Sequence, residues 1–155
     1  MSGILSPVVL AAGEGKTLSV LGNQIVFKAL GADTGGHLLV MEFTVPANSA
    51  GPRPHIHLRT DEAFYVLDGT VEKQVGERIA EASTGTFVFA PRGVPHRVGN
   101  LSAQPARYLA LMTPSGLEGW FEDLGSLVQP GMPRPDPATI AALSDKYDHV
   151  LAPPE

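Results

Sequence analysis

Short runs rich in Val, Leu, Phe and Tyr, separated by Gly, Pro, Asn or Asp, fill the middle of the chain. Residues 24–30 (QIVFKAL), 37–45 (HLLVMEFTV), 62–69 (EAFYVLDG), 70–75 (TVEKQV), 86–90 (TFVFA) and 106–113 (ARYLALMT) each have strand length and strand composition. No helical period long enough for a crossover separates them. The pattern therefore predicts an all-β sandwich or closed barrel and excludes a doubly wound nucleotide-binding fold.

From Ser115 the period changes. Leu117, Trp120, Phe121, Leu124 and Val128 recur at helical spacing, and DPATIAALSDKY offers Asp136 as a cap with Pro137 at the first helical position. Two short helices joined by QPGMPRP are expected to cover one end of the β-core. Residues 1–114, including N-terminal strands, then form the barrel, and 115–155 a helical extension packed on it, in one domain overall.

Parity along the strands brings in the chemistry. His55 and His57 are two apart, so on a strand they project from one face, and Pro52 and Pro54 favour the extended backbone this requires. Glu62 is an odd number of residues beyond His57. A turn or bulge within LRTD (58–61) is needed if its carboxylate is to join them. Beyond it, alternation carries Phe64 and Val66 inward, and Gly69 closes the strand in what reads as a hairpin-like turn. The segment GTFVFAPRGVPHRVGN (85–100) supplies a third imidazole, His96, after a turn at PRG. His55, His57, Glu62 and His96 together make an N3O donor set. It suits one divalent transition ion, Fe, Mn, Ni, Cu or Zn, with positions left for water or substrate.

Both stretches carry a resemblance. His55, His57, Glu62 and Gly69 fit H-x-H-x4-E-x6-G; Gly85, Pro91, Gly93, His96 and Asn100 fit G-x5-P-x-G-x2-H-x3-N. These resemble the two motifs of the cupin superfamily, in the right order and with a short gap between them. One departure lies upstream, where Ser49 stands at the position the family often gives to Gly, with Gly51 offset by two. Residues 25–155 look like the small single-domain cupins grouped with quercetin 2,3-dioxygenase. The resemblance implies a double-stranded β-helix, or jelly-roll, barrel with metal on His55, His57, Glu62 and His96, and a homodimer. The reaction it implies is a metal-dependent dioxygenation of a small oxygenated aromatic or enol, with Glu62 as ligand and proton acceptor. Isomerases, cyclases and non-catalytic binding or sensing proteins share the motifs and remain alternatives.

Composition narrows the partners. Net charge is −5, and the 11 Lys and Arg are spread without a run that could neutralise a line of phosphates, which argues against nucleic acid. No apolar run approaches the length of a membrane span, and the opening residues lack the basic start of a secretory signal. The absence of cysteine agrees with a reducing compartment and removes thiolate ligands and nucleophiles. A cytoplasmic protein with a small-molecule partner and no membrane partner is the expectation. GEGKT (13–17) lacks the first glycine of a phosphate loop and precedes no helix. His37 and His149 stand outside both motifs and read as exposed or structural, and Phe43, Phe64, Phe87 and Phe89 read as core.

Overall fold

The computed structural model describes residues 4–153. Among these residues eleven strands are present: β1 (Lys16–Val20), β2 (Asn23–Ala29), β3 (Leu39–Val45), β4 (His55–Ile56), β5 (Asp61–Asp68), β6 (Thr70–Val75), β7 (Arg78–Ser83), β8 (Phe87–Ala90), β9 (His96–Gly99), β10 (Ala106–Thr113) and β11 (Val150–Leu151). Helices α1 (Gly31–Thr34), α2 (Glu118–Leu127) and α3 (Pro137–Lys146) complete the fold. One sheet runs β1-β2-β3-β10-β5-β8 and the other β11-β4-β9-β6-β7. All pairings are antiparallel. This is the expected jelly roll, mostly sheet with a few short helices.

Alternation builds the core. Leu39, Met41, Phe43 and Val45 of β3, Glu62, Phe64 and Val66 of β5, and Ala106, Tyr108, Ala110 and Met112 of β10 are buried, while the residues between them face outward. Phe43 and Tyr108 stack with centroids 5.0 Å apart, and Phe121 of α2 meets Phe43 edge-on at 5.6 Å. Helix α2 packs on β1, where Gly125 lies against Leu18 and Val20. Helix α3 starts as its sequence predicts, with the Asp136 carboxylate accepting the Thr139 N–H at 2.9 Å and Pro137 in the first turn.

Two expectations change. Gly69 does not close a hairpin: β5 and β6 lie in different sheets, so the turn carries the chain around a corner. Its φ of 77° and the approach of the Pro105 carbonyl and Ala106 backbone leave no space for a Cβ. Phe87 and Phe89 are not core; they are 62% and 51% exposed. Register decides this, because β8 pairs with β5 so that Val88 sits opposite Phe64 and Ala90 opposite Glu62, which turns the two phenylalanines outward. The C-terminal segment also contributes a strand, β11, paired to β4. Residues 1–3 and 154–155 of the expected spans lie outside the described residues.

Candidate metal centre

Strand β4 ends at Ile56, and a bend at 58–59 reverses the parity before β5 begins at Asp61. The irregularity expected in LRTD is therefore present, and it places Glu62 inward. His55 pairs directly with His96 across the β4–β9 ladder, and Glu62 comes from the facing sheet, so the cluster bridges both layers. The ring centroids of His55, His57 and His96 are 4.6–5.1 Å apart. Surface contacts hold the two motif segments together. The Asp61 carboxylate accepts from the Arg92 backbone N–H, Nε and Nη2 at 2.8–3.1 Å, which holds its pKa at about 2, and the Gly93 N–H donates to the His57 carbonyl at 2.7 Å. Gly51, offset from the usual family position, has φ 75° and its Cα lies against the Val98 carbonyl where no side chain fits. Asn100 is a buried knot whose amide donates to the Val45 and Gln104 carbonyls and whose Oδ1 accepts from Ser102.

The outer nitrogens of all three imidazoles face backbone carbonyls. Nδ1–H of His55 points to Arg53 O at 3.3 Å, that of His57 to Asp148 O at 2.5 Å, and that of His96 to Val94 O at 3.0 Å. A carbonyl only accepts, so each Nδ1 carries the proton and each neutral ring turns an Nε2 lone pair toward the centre. Glu62 Oε2 lies 2.9 Å from His96 Nε2 and 3.3 Å from His57 Nε2. The His57 contact is an ion-pair distance without hydrogen-bond geometry, which leaves that buried nitrogen without a hydrogen-bond partner among the described residues. His96 Nε2 and Glu62 Oε2 are within hydrogen-bond distance, and with the rings neutral the four groups turn acceptors to one point that could hold a cation.

The spacing fits one. Metal–donor bonds of about 2.0–2.2 Å put neighbouring donors about 3 Å apart and opposite ones about 4.2 Å apart. The four donor atoms all lie within 4.8 Å of one another. His55, His57, Glu62 and His96 could therefore hold one ion. Without it, protons take its place: burial lowers the affinity of His57 for a proton, but the Glu62 carboxylate and the Asp148 carbonyl raise it above the ordinary value overall. Burial alone would raise the Glu62 pKa, yet His57 and His96 hold it well below the usual carboxylate range. His55 is lowered by burial and by the neighbouring His149, His96 and His57.

Two residues of this region were not singled out by pattern. His149 is neither a ligand nor exposed: it is buried between Trp120 and His55, stacked on them at 4.0 and 4.3 Å, and burial and His57 hold its pKa down to about 4. The Asp148 carboxylate beside it accepts the Leu58 and Arg59 N–H groups at 2.7 and 2.9 Å, so the C-terminal segment braces the bend between His57 and Glu62. Nothing local in the tail signals this, because it depends on β11 returning to β4. Lys73 of β6 is the second, with only 2% exposure. A signal existed here, since Lys73 shares parity with Val71 and Val75 in TVEKQV. A surface hollow of about 610 Å³ lies outside the second sheet, lined by Arg53, Gln74, Glu77, Ile79 and Arg97 among others, and the four metal-site residues are not part of it.

Known proteins agree with this architecture. Residues 41–112 match the family model described as Cupin domain. KdgF from Halomonas sp. superposes with a TM-score of 0.62 at 21% identity, over 76% of this chain and 99% of that one. An RmlC-like cupin from Shewanella frigidimarina gives 0.62 at 16% identity, over 74% and 96%. The polyketide cyclase RemF from Streptomyces resistomycificus gives 0.61 at 21%, over 71% and 81%. The fold is that of the cupins; likeness at these identities carries no reaction with it. No curated protein matches the chain. No helix among the described residues is long and apolar enough to cross a membrane.

Proposed function

We propose that the protein is a metal-dependent enzyme acting on a small oxygenated molecule, an aromatic or an enol, and that its reaction is a quercetinase-like dioxygenation. The observation that carries the reading is the convergence of three imidazole lone pairs and the Glu62 carboxylate inside an apolar barrel. When bound, a divalent transition ion supplies Lewis acidity toward a substrate oxygen and, for Fe, Mn, Ni or Cu, a centre for oxygen chemistry. His55, His57 and His96 orient their lone pairs through the three backbone carbonyls. Glu62 turns Oε2 toward His57 and His96 as a donor to the ion, and its carboxylate is the group placed to accept a proton from a substrate hydroxyl. Phe64, Tyr108, Met41 and Met112 keep bulk water from the interior.

The proton-accepting position of Glu62 serves an isomerase or cyclase equally well, and neither consumes oxygen. Elemental analysis of the protein as purified, per chain, followed by oxygen uptake with flavonols and enols, separates these readings. About one equivalent of Fe, Mn, Ni or Cu with oxygen uptake upholds the dioxygenase. Substrate consumed without oxygen uptake replaces it with an isomerase or cyclase. A ligand retained unchanged after long incubation replaces it with a binding module.

A further inference from the structure

Lys73 presents the opposite problem from the metal centre. Its Nζ is fully inside the barrel, lies 2.7 Å from the Phe64 ring centroid and 4.6 Å from that of Tyr108, and has no hydrogen-bond partner among the described residues. Aromatic faces are weak partners for a group that donates three hydrogen bonds. An unpaired buried amine costs stability that an apolar side chain of the same length would not. Burial pushes its pKa well below the ordinary lysine value, with Glu62 opposing in part.

Its position relates it to the centre described above. Phe64 follows Glu62 by two residues on β5, and Lys73 pairs with Val98, which follows His96 by two on β9. Residues two apart on a strand share a face and are separated by about 7 Å. Lys73 therefore occupies the interior layer next to the His–Glu cluster, within reach of a molecule of a few carbons that touches both. Charge points the same way. A divalent ion with Glu62 would carry one net positive charge, and the Lys73 amine, neutral while it lies unpaired, adds a second when it takes up a proton beside an entering acid, so the interior is suited to an anion.

We propose that Lys73 is a substrate-binding residue that holds the carboxylate of a small organic acid, whose other oxygen-bearing end lies against His55, His57, Glu62 and His96. The assignment rests on the reading of those four residues as the reaction centre, and it narrows the substrate from any oxygenated molecule to an acid. No carboxylate among the described residues forms an ion pair with Lys73, which leaves its Nζ open to an acceptor from outside the chain.

The test is calorimetric titration of pyruvate and malonate, with methyl pyruvate and malonamide as uncharged counterparts, into wild type, Lys73→Met and Lys73→Gln. Melting temperatures and metal content are read on the same samples. The expected result is binding of at least one acid to wild type, loss of at least tenfold in affinity in both variants, and no preference of the variants for acid over uncharged counterpart. Lys73→Met, without ligand, is expected to melt no lower than wild type. Equal acid affinity in wild type and variants overturns the proposal, as does failure of both acids to bind wild type. A fall in melting temperature with unchanged acid affinity makes the lysine structural and also overturns it. The metal reading fails separately: a wild type that takes up no metal yet binds acid through Lys73 leaves the lysine assignment standing.

Discussion

Two buried polar layers lie side by side in this barrel, and they are built on opposite principles. In the His–Glu layer every imidazole turns an N–H outward to a backbone carbonyl, so each neutral ring points a lone pair toward Glu62, and only a proton or a cation between them satisfies the group. In the neighbouring layer a single amine lies against Phe64 and Tyr108 with nothing among the described residues to accept its protons. The first is pre-organised by backbone and braced by the Asp148 segment; the second is held only by packing. Polar groups left unmatched in this way cost stability in the free protein; the first layer could hold a cation, and the second is the proposed seat of an anion.

Removing a donor from the first layer has the largest expected effect. His96→Ala lowers metal affinity by more than the about 10–100-fold that loss of an outer-shell partner costs, while circular dichroism shows the sheets intact, since the strands have their own apolar core. Unfolding of this variant would make the ion a structural element instead.

A second test titrates the boundary of that layer. The His149 pKa is about 4 in the folded protein against about 6.5 in an unfolded chain, so the unfolded state takes up its proton first as pH falls. The stabilisation is complete above pH 6.5 and is lost between 6.5 and 4, by about 3 kcal/mol. His55 acts in the same direction and His57 in the opposite one, so the informative quantity is a difference. Urea unfolding of the metal-free protein and of His149→Phe at several pH values should show a flatter acid limb in the variant. Parallel limbs would remove His149 from the account.

Asp148→Ala tests the brace alone. It frees the Leu58 and Arg59 N–H groups and loosens the bend that sets Glu62 facing His57, with an expected loss of about tenfold in metal affinity measured by chelator competition. The smallest effect is expected outside both layers. Phe87→Ser and Phe89→Ser should change stability by less than about 0.5 kcal/mol, whereas Phe64→Ala, which also removes the seat of Lys73, should cost about 3–5 kcal/mol in denaturant melts.

The strands at 24–30, 37–45, 62–75, 86–90 and 106–113, both helices after Ser115 and the grouping of His55, His57, Glu62 and His96 were legible in the chain because each depends on local chemistry, whereas β7 (Arg78–Ser83), with its polar and small residues, was not. Period-2 alternation, turn residues, the Asp136 cap and the spacing of two motifs are all readable within about twenty residues. The direction of Glu62 was legible only as a condition on the LRTD segment, and that condition is met by the bend at 58–59. What lay beyond reach shares one physical cause, which is that register and pairing between distant strands decide which face of a run is inside. Phe87 and Phe89 face solvent because β8 pairs with β5 in one register, and Gly69 turns a corner because its flanking strands find partners in different sheets. His149 and Asp148 reach the centre because β11 returns across some ninety residues to pair with β4. Lys73 shows both sides: its parity with Val71 was written in the sequence, but only the closed barrel decides that the amine ends with aromatic faces and no acceptor.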